Sequence, residues 1–147
     1  IGKVGIPELI LNKSGPLDAC EWDTMKTHTD LGARILEPLK TMARIRLMVR
    51  HHHEFYDGSG YPDRLQGQNI PHGARVIAIA DAYDTITSAR TYKRARTAED
   101  AFAELERCAA NQFDPEMVRI FVEMMRRAPR PTIEATVGAS RGIDLRL

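Results

Sequence analysis

The chain has 147 residues, one domain's worth on a scale of roughly 100–200 residues per domain. Hydrophobic residues make up 43% and charged residues 28%, a balance that excludes a largely disordered chain. The 21 basic and 20 acidic residues leave a net charge of +1, which demands no nucleic acid, membrane surface or strongly charged partner.

No apolar run approaches the ~20 residues of a membrane span, and no basic-then-apolar leader opens the chain. Cys20 and Cys108 are far apart and form no CxxC pair. The expectation is a cytoplasmic protein in a reducing compartment.

In chain order, Ile1 to Pro7 carry no helix start signal and read like the middle of something. Asn12-Lys13-Ser14-Gly15-Pro16 is a turn cluster. Asp18 caps a helix running to about Thr27, with Cys20, Trp22 and Met25 on one face. His28 closes that helix, and Thr29-Asp30 caps another in which Leu31, Ile35, Leu36 and Leu39 fall at helical spacing. A further helix runs from about Thr41 into His51, His52 and His53.

Phe55 to Gly73 is the longest irregular stretch, rich in glycine and proline; a loop that long is usually functional or disordered. Ala74 to about Thr87 is apolar nearly all round and reads as a buried helix, yet it carries Asp81 and Asp84. Thr97 with Asp100 resembles a capping box for a helix with Ala98, Ala101, Phe102, Leu105, Cys108 and Ala109 on one stripe. Asp114-Pro115 opens the next, burying Met117, Val118, Phe121, Val122 and Met125. No alternating run is long enough for a sheet, so the fold reads as all-α with about six helices. Residues 128–147 read as a tail or linker after a domain over 1–127.

The chemistry gathers around the histidines. Adjacent residues on a helix point ~100° apart, so His52 and His53 can serve two neighbouring metal ions; the alternative is a solvated helix end. A carboxylate in an apolar helix is costly unless it binds a metal or is paired. Asp81 is therefore a metal ligand or half of a buried ion pair with Arg75 or Arg90. His28 by itself reads as structural, and Asp84 as a cap, a pairing partner or a support behind the metal ligands.

Imidazole and carboxylate donors without thiolate suit iron, manganese or zinc. Two metals ~3.5–4 Å apart can activate a water and clamp both oxygens of an in-line displacement at phosphorus. Arg90 and Lys93 suit phosphate, or form a solvated basic loop. Tyr61 can stack on a base.

His52-His53-Glu54, Asp57-Gly58-Ser59-Gly60-Tyr61-Pro62, Ile70-Pro71, Ala80-Asp81-Ala82-Tyr83-Asp84 and Arg90-Thr91-Tyr92-Lys93 together resemble the HD-GYP domains, a bacterial branch of the HD phosphohydrolases. The likeness runs from Lys3 to about Val122, and HHExxDGxGYP is its most specific part. It implies an all-helical HD-domain-like bundle and a site with two or three divalent metal ions, commonly iron or manganese. It also implies hydrolysis of cyclic di-GMP to pGpG and often on to GMP.

Carried onto this chain, the resemblance makes His28, His52, His53 and Asp81 metal ligands. Lys3 lies beside the metals and the scissile phosphate, where it offsets developing negative charge. Tyr61, Arg90 and Lys93 hold the dinucleotide. The family's His-Asp doublet stands immediately before the Ile-Gly-Lys that opens this chain, so the expectation is an N-terminally incomplete domain. GGDEF-type signalling proteins and an upstream sensory or receiver domain are its implied partners.

Two rival readings remain. One is a catalytically decayed HD-GYP domain that binds cyclic di-GMP or a partner protein. The other is an HD phosphohydrolase acting on another nucleotide. Nucleic-acid binding is disfavoured, because the basic residues are dispersed and balanced by acids.

Overall fold

The computed structural model describes residues 1–88 and 96–128. Among these, seven α-helices and three short 3-10 turns account for the regular structure, and no strand is present. The helices are α1 (Glu8–Leu11), α2 (Ala19–Lys26), α3 (His28–Leu36), α4 (Ala43–His51), α5 (His72–Thr87), α6 (Ala98–Arg107) and α7 (Pro115–Arg127). The all-α expectation holds.

Local chemistry sets most of the starts. Asp18 accepts a bond from the Glu21 amide at 2.9 Å while Glu21 accepts one from the Asp18 amide at 2.8 Å. That reciprocal box satisfies two of the amides a helix start leaves unpaired. Thr97 and Asp100 form the same box on α6. Asp114 caps α7 ahead of Pro115. It is itself buried, and it accepts a 2.5 Å bond from Arg75 on α5. Arg75 therefore pairs with Asp114 and not with Asp81.

Helix α5 is the divider. On one side α6 and α7 pack against it and against each other, enclosing an apolar core of Ile79, Phe102, Leu105, Phe113, Val118 and Val122. On the other, α4 packs on α5, α3 packs on α4, and the 3-10 turn Gly2–Gly5 lies on α3.

The expectations for two helices, α3 and α5, are corrected here. Helix α3 opens at His28, one residue after α2 ends and the Thr27 joint, so His28 begins a helix and Thr29-Asp30 is no cap. Its buried face is His28, Thr29, Gly32, Ala33 and Leu36, while Ile35 and Leu39 are about half exposed. The reason is close approach: a Cβ on Gly32 would stand 2.7 Å from Val49 and 2.9 Å from Ile1, so small residues and not the large aliphatics define the contact.

Helix α5 buries Ala74, Ile79 and Ile86, but Val76, Ile77 and Ala80 are exposed, and so is Asp81. The helix is buried along two stripes and open between them, and Asp81 lies on the open face with Val76, Ile77 and Ala80. Finally, α2 buries none of its residues, and Trp22 is 46% exposed.

Candidate metal centre

Three imidazoles converge where α2, α3 and the end of α4 meet. One ring nitrogen from each of His28, His52 and His53 lies within 4.8 Å of the others. The ring centroids are 5.4 Å apart for His28 and His52, 5.0 Å for His28 and His53, and 4.1 Å for His52 and His53.

Backbone carbonyls aim two of the rings. His28 Nδ1 bonds the Met25 carbonyl at 2.6 Å, and His52 Nδ1 bonds the Val49 carbonyl at 2.7 Å. A carbonyl accepts only, so in each ring Nδ1 carries the proton and Nε2 keeps its lone pair. This is the arrangement that orients metal-ligating histidines.

His28 Nε2 is buried and has no hydrogen-bond partner, a costly state for a polar atom unless something else binds it. Burial holds all three imidazoles below the ordinary histidine range, and His53, with His52 and His28 against it, falls to about 3. At neutral pH the three are neutral donors. The donor set fits a divalent transition metal.

Gly2 seats the turn that carries Lys3, since a Cβ there would collide with the His28 carbonyl. Lys3 is exposed and lines a cavity of about 290 Å³ with His28, His52 and Asp81. Asp81 also borders a second cavity, of about 310 Å³, with His52 and His53. Its charge reaches His28 and His52, but it stands outside the tight imidazole group. The interior acid expected from the sequence is a surface acid at the rim of the histidines.

Tyr61 lies against His53. Its amide donates to the His53 carbonyl at 3.1 Å, and its ring stacks on His53 at 5.0 Å and 25°. Burial, reinforced by Asp81, pushes its phenol up to about 12. Arg90 and Lys93 fall in 89–95, outside the described residues, as does the tail from 129 onward. Asp84 accepts a bond from the Ser88 hydroxyl at 3.1 Å.

Sequence reasoning assigned no role to Glu54, whose side chain is fully buried. Its two oxygens accept the Asp63 amide at 2.7 Å and the Leu65 amide at 3.1 Å. It thereby fastens the loop that carries Tyr61. His51 lies 3.6 Å from Glu54 and 3.7 Å from Asp63, and Arg50 bridges Asp63 and Asp30. Of the three consecutive histidines, the first therefore packs beneath the loop while the other two belong to the imidazole group with His28. Gly60 is buried against the same backbone: a Cβ would collide with the Phe55 amide. An acid directly after a histidine pair and before a glycine-rich loop was the available signal.

The chain belongs to the HD-domain family, whose model matches residues 1–117. It is 42% identical over 125 residues to the 3′3′-cGAMP-specific phosphodiesterase 2 of Vibrio cholerae, covering 84% of this chain and 24% of that protein. It is 41% identical over 129 residues to a cyclic di-GMP phosphodiesterase of Thermotoga maritima, covering 84% and 34%. A solved cyclic GMP-AMP-specific phosphodiesterase of V. cholerae shares the fold, with a TM-score of 0.57 at 20% identity over 88% of this chain and 34% of that one. The chain thus spans about a quarter to a third of the length of these relatives.

Proposed function

We propose that the chain is an HD-GYP domain acting as a metal-dependent phosphodiesterase in the bacterial cytoplasm, opening cyclic di-GMP to pGpG, with either pGpG or GMP as the end product. The observation that carries this is the trio of neutral imidazoles with a buried, unpartnered Nε2 on His28. The names of the relatives support the substrate class, since each acts on a cyclic dinucleotide containing guanine.

In this reading His28, His52 and His53, with Asp81 from the rim, would hold two or three divalent ions, iron or manganese. Bound there, such ions supply Lewis acidity at the phosphate oxygens and an acidified water. The chain's own residues do the rest. The Met25 and Val49 carbonyls fix two rings with Nε2 forward. Lys3, at the mouth of the cavity, offsets charge that grows on phosphorus oxygens, an electrostatic role of the oxyanion-hole type. Tyr61, held against His53, orients a base, and Arg90 and Lys93 grip the phosphates. Water adds at phosphorus, the bond to the 3′ oxygen breaks, and that oxygen leaves with a proton.

The test is elemental analysis of the purified protein followed by assay of cyclic di-GMP cleavage with added manganese or iron. Metal bound per chain and product formation are expected together, and Asp81→Ala is expected to abolish metal loading. Full occupancy in that variant would remove Asp81 from the ligand set, and cleavage by metal-free protein would overturn the reading.

A further inference from the structure

Beside the histidines, between α2 and the loop over 57–66, lies a cleft of about 750 Å³. Its wall is mixed: Trp22, Tyr61 and Phe55 supply aromatic surface, Lys26 and Arg64 positive charge, and Asp23 and Asp30 negative charge. Asp23 is paired with Lys26 at 3.0 Å and Asp30 with Arg50, which leaves Arg64 as the lining cation without a carboxylate among the described residues. Trp22 meets Tyr61 edge to face at 6.4 Å and 74°, yet it remains 46% exposed. An indole left half bare next to a ring that already stacks on a candidate metal ligand is a ready platform for a flat ligand.

Arg64 adds an independent observation. Its φ is +55°, the left-handed region that favours glycine and that arginine rarely occupies. A strained residue kept at the rim of a cleft points to use. Its guanidinium has no carboxylate within ion-pair distance among the described residues, whereas Arg50, close by in sequence, has two. A free guanidinium beside an aromatic platform matches the O6 and N7 edge of guanine, which offers two acceptors; adenine presents an amino donor at the corresponding place.

Resting on the phosphodiesterase reading, we propose that this cleft seats a guanine base of the cyclic dinucleotide, with Trp22 as its stacking platform and Arg64 as the group that reads its edge. The cleft lies one ring away from the metal centre through Tyr61, so a base placed there leaves its own phosphate near the imidazoles.

The chain has one tryptophan, so its emission reports this cleft alone. Metal-loaded protein is titrated with a hydrolysis-resistant phosphorothioate of cyclic di-GMP, by calorimetry and by fluorescence together. The expected result is quenching with the calorimetric affinity and a loss of about tenfold in Trp22→Ala. Arg64→Gly, which relieves the left-handed backbone and so keeps the fold, should weaken cyclic di-GMP about tenfold and leave the cyclic di-AMP analogue unchanged. Calorimetric binding with unmoved emission, or unchanged affinity in either variant, overturns this inference and leaves the hydrolase reading standing. Equal losses for both dinucleotides would make Arg64 a phosphate contact and overturn its role in reading the base. Absence of binding by the cyclic di-GMP analogue overturns both proposals.

Discussion

The two sides of α5 are built on different principles. The α6–α7 side is an apolar core in which Leu105, Val118 and Phe102 are almost wholly shielded. Few polar groups are spent inside it, and its helix starts are closed by side-chain caps. The α2–α4 side buries His28, Thr29, His51 and Glu54 among a thin set of aliphatics. It is held by carbonyl-to-imidazole bonds, by a carboxylate gripping loop amides, and by glycines where backbones nearly touch. One side derives its stability from burial. The other has its geometry fixed by directional bonds, and among the described residues it alone leaves buried imidazole nitrogens without a hydrogen-bond partner.

The sharpest break of that contrast lies in the core. Leu105 is fully buried among α5–α7 neighbours. Leu105→Ala removes transfer energy and leaves a cavity, at a cost of about 2–5 kcal/mol. Denaturant melts should show that loss, while the metal bound per folded chain stays at the unsubstituted value. A fall in metal stoichiometry of the folded fraction would mean that the two sides are coupled through α5.

Glu54→Gln comes next and acts on the other side. The amide keeps one acceptor for the Asp63 or Leu65 amide and turns a donor toward the other. Leaving one buried amide opposed costs about 1–3 kcal/mol. The loss should be local: faster hydrogen exchange at the 63 and 65 amides and a raised KM, since Tyr61 rides on that loop. Exchange rising equally in α6 and α7 would show a global effect instead.

This division also explains what could be read from the chain. The distal side was legible because its rules are local. Thr97 with Asp100, Asp114 before Pro115 and the stripe through Phe102 and Leu105 are spacing rules that the fold obeys. On the site side, His52 and His53 stood out as residue types. The face α3 buries did not, because close packing at Gly32 outweighed aliphatic periodicity. Asp81 misled for a related reason. An acid in an apolar stretch looks interior, but Val76, Ile77 and Ala80 share its exposed face. Glu54 was hidden because its partners are backbone amides, which the sequence does not advertise.

The caps permit a comparison at matched energy. Asp18→Ala and Thr97→Ala each remove a capping box and each should cost about 1 kcal/mol. Helix α6 is fastened by its buried stripe, so the loss at Thr97 should lower the melting temperature and leave metal affinity alone. Helix α2 buries nothing, yet its last turn supplies the Met25 carbonyl that holds His28. Asp18→Ala should therefore weaken metal binding as well, read by competition with a chelator. Equal metal affinity in the two variants would mean that α3 alone holds His28.

The smallest effect on stability without metal is expected where the effect of metal is largest. His28→Leu removes a hydrogen bond to the Met25 carbonyl, worth about 1 kcal/mol, but that carbonyl still accepts the Thr27 amide. It also removes a buried Nε2 that has no partner, whose desolvation costs about 1–3 kcal/mol. The two terms oppose each other, so metal-free His28→Leu should melt at or slightly above the metal-free parent. The stabilisation that manganese gives the parent, which grows as the logarithm of metal over Kd, should vanish in the variant. A structural histidine would behave in the opposite way, lowering the metal-free melt while the response to manganese stayed intact.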